Sequence, residues 1–240
     1  MCSSGFRVVH LTDPACFNLH AQTMQLNIKE MIGGSPARLR WVYRYSTSRV
    51  RHPESVAEHS FFVAFYALMV GRWVNNKVDR DPQQMPVNIG LLLSRAVIHD
   101  VEECATGDFP RNFKHGDPEL HKLLENAAKK EMKGILDRLI EGPDQLGFYA
   151  LWLNAKDPSS EGRILEFCDF LAVLGFLLQE GMGEGNGTIG VHVEGMSVYY
   201  GKFQRTEYQF LQPLVEECGT ILEQLGILDS ALVKQGKGDS

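Results

Sequence analysis

Along most of this chain apolar residues recur at intervals of three and four, and nowhere do they alternate for long with period two. AQTMQLNIKEMI (21–32) places Met24, Ile28, Met31 and Ile32 at a helical spacing, and Gly-Gly-Ser-Pro at 33–36 ends that helix. Ser55-Val56-Ala57-Glu58 fits a capping box, in which the serine caps a new helix and the glutamate returns to the serine amide. SFFVAFYALMVGRWV supplies that helix with its apolar body, and DRDPQQMP (79–86) is a loop. VNIGLLLSRAVIHDVEECA (87–105) reads as one buried helix that Gly107 terminates. Asp117 as cap and Pro118 at the first helical position open the next, whose Leu120, Leu123, Leu124, Met132, Ile135, Leu136 and Leu139 form an apolar stripe until Gly142-Pro143 closes it.

A helix near 144–155, a polar turn at DPSSEG and a helix over 163–180 follow. The glycine-rich 181–190 reads as a flexible linker or mobile lid, and a last helix covers 203–225, with Pro213 bending or interrupting it. The expectation is an all-α bundle without internal repeats: an extension with one helix over 1–36, a single helical domain over 37–228 and a disordered tail over 229–240.

Composition narrows the function. At 240 residues and 44% hydrophobic the chain has ample material for one core. A net charge of −6 argues against broad binding to polymeric nucleic acid but leaves a small anionic substrate open. Positive charge is concentrated in 37–54, where Arg38, Arg40, Arg44, Arg49 and Arg51 surround Trp41, Tyr43 and Tyr45. Five scattered cysteines without CxxC spacing suggest neither a disulfide framework nor a zinc knuckle, so the expected compartment is reducing. The start lacks a basic stretch followed by an apolar one, and FLAVLGFLL is too short to cross a bilayer; a cytoplasmic protein with no membrane partner is expected.

His99 and Asp100 stand side by side at the end of GLLLSRAVI. Neighbours on a helix lie about 100° apart, so the pair converges on one ion only with further ligands from other elements. Glu103, four residues after His99, falls about one turn on, over the same face. Asp169 lies inside the apolar FCDFLAVLGFLL, where a bare carboxylate loses hydration worth several kcal/mol unless a cation or donors compensate it. An arginine partner or a cap on a neighbouring helix would do so equally well, and His59 taken singly reads as a hydrogen-bonded core histidine. Together, His59, His99, Asp100 and Asp169 give two nitrogens and two carboxylates from three helices, a mixed set that suits Mn, Fe, Co, Ni or Zn.

RYSTSRVRHPESVAEHS (44–60), VIHDVEECATGDFPRNFK (97–114) and, more weakly, ILEFCDFLAVLGFLLQE (164–180) resemble the HD-domain phosphohydrolases, and within them the bacterial 5'-deoxynucleotidases of the YfbR type. The resemblance spans about 40–205. It implies an HD-domain bundle with a metal site in its core, ligated by His59, His99, Asp100 and Asp169. By the same resemblance Glu103 handles the proton, Asp108 is a second acidic residue near sugar and phosphate, and Arg44 grips the phosphate. Lys114 falls where related triphosphohydrolases bind phosphate. The family's tryptophan after that arginine, a wall against a 2'-hydroxyl, is Tyr45 here, which puts strict deoxyribose selection in doubt.

The implied function is metal-assisted hydrolysis of the 5'-phosphate ester of a deoxynucleotide, a monophosphate giving nucleoside and phosphate. It uses one divalent transition metal, with Mg also admitted, in a homo-oligomer. The nearest alternative is a dNTP (dATP) triphosphohydrolase, motivated by the surplus of basic groups including Arg111 and Lys114. A remoter one is a helical binding module without catalysis. His115 and His121 would serve a second metal in some HD proteins, although His121 sits on an ordinary amphipathic helix.

Overall fold

The computed structural model of the protein describes residues 24–78, 86–180 and 190–228. Its helices are α1 (Ile28–Gly33), α2 (Val56–Val78), α3 (Ile89–Ile98), α4 (Glu103–Thr106), α5 (Arg111–Gly116), α6 (Pro118–Leu139), α7 (Asp144–Leu153), α8 (Ser160–Gln179), α9 (Gly190–Phe203) and α10 (Gln212–Gln224). Short 3-10 turns cover Pro36–Arg40 and Thr206–Leu211. A two-stranded antiparallel ribbon pairs β1 (Gln25–Leu26) with β2 (Ile140–Glu141) and fastens the segment before α1 to the end of α6. The class is all α, as the periodicity predicts. Among the described residues no helix is long and apolar enough to cross a membrane.

The core is built where α2, α3 and α8 pack together, with Val63, Ala67, Val70 and Val74 against Leu92 and Ala96 and against Ile164, Phe167, Phe170 and Leu177. Because α8 is enclosed by α2, α3 and α9, it is apolar nearly all round and has no polar face to present to water. Tyr199, Phe203 and Tyr208 close the α9 side with edge-on ring contacts to one another and to Phe167 and Phe170.

Local signals set the helix starts. Glu58 accepts from the Ser55 amide (2.8 Å) while Ser55 Oγ accepts from the Glu58 amide (3.2 Å), the reciprocal box that fixes the first turn of α2. Asp117 accepts from the amides of Glu119 and Leu120 at the start of α6, with Pro118 at the first helical position. Arg95, buried on α3, grips Asp157 with both terminal nitrogens (2.8 and 2.7 Å) and so ties α3 to the turn that enters α8. Buried Glu180 accepts from the amides of Arg51 (2.6 Å) and His52 (2.8 Å), holding the arginine-rich segment against the end of α8.

Several predicted elements are corrected. The single helix over 87–105 is two: α3 stops at Ile98, and Val101, Glu103 and Cys104 donate to Ile98, Asp100 and Val101, a 3-10 pattern, before α4 begins. That tightening brings Glu103, with His99 and Asp100, onto the wall of one cavity. Within 21–32 only Ile28–Gly33 is helical, because Gln25–Leu26 are taken by the ribbon; 21–23 lie outside the described residues. Pro213 opens α10 instead of bending a longer helix, and α9, unpredicted, precedes it. On α6 only Met132, Ile135 and Leu136 of the stripe are buried, and Leu123 is exposed. The predicted loops at 79–85 and 181–189 and the tail 229–240 lie outside the described residues.

Candidate active site

Three helical elements bring the four expected ligands to one place. His59 comes from the first turns of α2, His99 and Asp100 from the tightened segment after α3, and Asp169 from the middle of α8. His59 Nε2 is 3.0 Å from Asp169 Oδ1 and 3.8 Å from Asp100 Oδ2, and His99 Nε2 is 3.0 Å from Asp100 Oδ2. Ligand atoms of His59, His99 and Asp100 all lie within 4.8 Å of one another. The spacing of 110 residues between the first and last ligand gives no hint of this; the packing of α2 against α3 and α8 produces it.

Their titrations are shaped by burial and by one another. His99 Nδ1 donates to the Ala96 carbonyl (2.8 Å), which turns Nε2 toward Asp100; burial opposes charge on this ring, but the Asp100 carboxylate raises its pKa. Burial and then the Arg44 charge push His59 down to about 4, which keeps its imidazole neutral at pH 7. Burial opposes charge on Asp169, yet Lys156 and His59 hold it well below the usual carboxylate range. The same opposition acts at Asp100, and His99 holds it below that range too. His59 Nε2 and His99 Nε2 are buried and, although 3.0 Å from the Asp169 and Asp100 carboxylates, make no well-formed hydrogen bond. Two imidazole nitrogens and two ionised carboxylates fit a divalent transition metal, which would satisfy both orphaned nitrogens.

Two cavities flank this cluster. The larger, about 680 Å³, is lined by His99, Asp100, Glu103, Lys114, Trp152 and Lys156; the smaller, about 130 Å³, by Arg44, Tyr45, Asp108, Asp169, Met196 and Tyr199. Glu103 is buried and its Oε2 has no hydrogen-bond partner. Burial, then the Asp100 and Asp108 carboxylates, push Glu103 well above the usual range, against the pull of Arg44. Asp108 is raised by burial and by Asp100, against the pull of Arg44.

Arg44 is placed by backbone pairing of its segment with the entry to α2: its amide donates to the Glu54 carbonyl (2.9 Å), and the Val56 amide donates to Val42 (2.8 Å). Tyr45 adopts a left-handed backbone (φ 57°), which turns its ring onto Phe176, stacked at 4.4 Å. Lys114 lines the larger cavity and Arg44 the smaller. His121 pairs with Glu125 (3.4 Å) on α6, and the His115 side chain lies outside the described residues.

Sequence reasoning missed three members. Glu54 sits 3.7 Å from Arg44 Nε and 4.0 Å from His59 Nδ1, and burial lifts it to about 7 despite Arg44. Lys156 reaches Asp169 Oδ2 (2.5 Å), and the Tyr199 hydroxyl donates to the same oxygen (3.3 Å). Glu54 had a legible signal, a charge just before a helix in an otherwise basic segment. Lys156 had none, lying in a polar turn where lysine is ordinary.

Comparison with known proteins identifies the family. The family model for YfbR-like 5'-deoxynucleotidases matches residues 35–187, a span that contains every residue named at the site except Met196 and Tyr199. A 5'-deoxynucleotidase of Vibrio parahaemolyticus is 35% identical over 153 residues, 62% of this chain and 74% of that one. The human 5'-deoxynucleotidase HDDC2 is 27% identical over 148 residues, covering 61% of this chain and 62% of that one. Crystal structures of an HD-domain phosphohydrolase from Listeria innocua (TM-score 0.62, 21% identity, 84% of this chain and 93% of that one) and of a Pyrococcus horikoshii protein (TM-score 0.61, 20% identity, 81% and 99%) share the fold. With its match running unbroken from the 3-10 turn before Arg44 to beyond α8, the chain belongs to the YfbR-like family of HD-domain proteins.

Proposed function

We propose that the protein is a metal-dependent phosphohydrolase that cleaves the 5'-phosphate ester of 2'-deoxynucleotides, with monophosphates as its substrates, giving deoxynucleoside and phosphate. The observation that carries this reading is the convergence of His59, His99, Asp100 and Asp169, with two orphaned imidazole nitrogens, between a buried arginine and a buried carboxyl of raised pKa. A divalent transition metal held by those four side chains would supply Lewis acidity toward the phosphoryl group and toward water.

The chain's own residues do the rest. Arg44, with Nε lacking a hydrogen-bond partner, binds the phosphate oxygens as a fork and offsets their growing charge. Glu54 fixes that fork from behind at 3.7 Å. Glu103 Oε2 takes the proton of the attacking water and passes it to O5' as the P–O5' bond breaks. Asp108 and the Tyr45 ring, on the wall of the smaller cavity beside Arg44, face the sugar; Tyr45 limits room for a 2'-hydroxyl.

A second reading, release of triphosphate from a dNTP, is favoured by one observation: Lys114 and Lys156 both line the 680 Å³ cavity, where a longer phosphate chain finds cations. Incubation with dNMPs, dNTPs and Mn²⁺ or Co²⁺, followed by identification of the phosphate product, separates them. Orthophosphate from dNMPs with no triphosphate from any dNTP is the expected result; triphosphate as the main product would replace the first reading by the second. We further assign a reducing, cytoplasmic setting, which suits the buried free thiols of Cys104, Cys168 and Cys218. Self-association is assigned to the exposed apolar face of α2 at Phe61, Phe65 and Met69.

A further inference from the structure

The two oxygens of Asp169 have different neighbours. Oδ1 lies 3.0 Å from His59 Nε2 and faces the ligand cluster, whereas Oδ2 accepts from Lys156 Nζ at 2.5 Å and from the Tyr199 hydroxyl at 3.3 Å. Lys156 is a partly exposed side chain whose ammonium is directed at Asp169. Its turn is pinned on one side by buried Ala155 and on the other by the Arg95–Asp157 fork. An ammonium and a phenol therefore occupy the oxygen that Asp169 would need in order to grip an ion with both.

We propose that Lys156 is a positioning residue that restricts Asp169 to a single metal-facing oxygen and sets the charge of the centre, keeping metal affinity submaximal and a coordination position open. This rests on the proposed function and adds a residue to it. Catalytic metal sites keep an open position for water or substrate, and a second carboxylate oxygen would fill it. A unit positive charge one carboxylate away also repels a divalent cation, so its removal strengthens metal binding; damage to the fold would weaken it.

The test is titration of Co²⁺ into chelator-stripped wild-type, Lys156→Met and Lys156→Arg proteins, reading the dissociation constant and the visible absorption. Lys156→Met is expected to bind at least about tenfold more tightly, with weaker absorption from a higher coordination number. Lys156→Arg, which keeps charge and donor, is expected to stay within about threefold of wild type with the wild-type spectrum. A Lys156→Met protein that binds no more tightly than wild type and shows its spectrum overturns this inference alone. Wild-type protein that takes up no Co²⁺ overturns it together with the proposed function.

Discussion

Glu103 and Asp100 are neighbours whose pKa values are moved in opposite directions. Burial opposes charge on both, but His99 compensates Asp100, while at Glu103 burial and the Asp100 and Asp108 carboxylates outweigh Arg44 and raise it. A carboxyl whose pKa is raised is the better proton acceptor; one whose pKa is lowered is the readier ligand for an ion. Glu103→Gln is therefore expected to lower kcat by about 100-fold or more while metal binding persists, checked by steady-state assay beside metal titration; unchanged turnover would remove Glu103 from the mechanism. Tyr45 makes a separate prediction. Its left-handed φ of 57° and its stack on Phe176 fix the ring at the smaller cavity. Tyr45→Ala should lower the ratio of kcat/KM for a deoxynucleotide over its ribonucleotide by about tenfold, the scale set by a single apolar contact; an unchanged ratio would show that the sugar is selected elsewhere.

Among the elements, those set by neighbours in sequence were legible. The Ser55–Glu58 box and the Asp117-Pro118 start are local chemistry, and both stand where the letters place them. Ser55→Ala should cost about 1 kcal/mol in urea denaturation, and because His59 lies in the turn so capped, it should weaken metal binding as well. What depends on tertiary contact was not legible. The break of the helix at His99 follows from 3-10 bonding through Asp100–Glu103, and β1 is too short to show a period. Glu180 shows the same limit: nothing in a glutamate at a helix end predicts that it accepts amides from Arg51 and His52, 129 and 128 residues away. Burial opposes its charge, but those bonds and the His52 ring hold its pKa below 4.5. With the folded value depressed, its stabilisation is present above the unfolded pKa and fades as pH falls through the folded one. Glu180→Gln should lose about 2 kcal/mol at pH 7 and progressively less below pH 4.5, measured as a difference from wild type in urea melts. A difference independent of pH would refute the ionised clamp.

At the scale of the molecule, function depends on three separated stretches packing into one core. The sequence pattern carried the candidate ligands and the helical class, and the resemblance joined them into one expected site. It could not carry Lys156 or Glu54, whose roles exist only once α7's end and the entry to α2 are folded against the cluster. The same packing leaves Phe61, Phe65 and Met69 exposed on α2, away from the core that the opposite face of that helix builds. All of this turns on His59, His99, Asp100 and Asp169 sharing one ion. Titration of Mn²⁺ into chelator-stripped wild-type and Asp169→Ala proteins tests that most directly: one ion per wild-type chain and none held tightly by the variant is the predicted result. An equal, tight stoichiometry in both proteins, or no uptake by wild type, would contradict it.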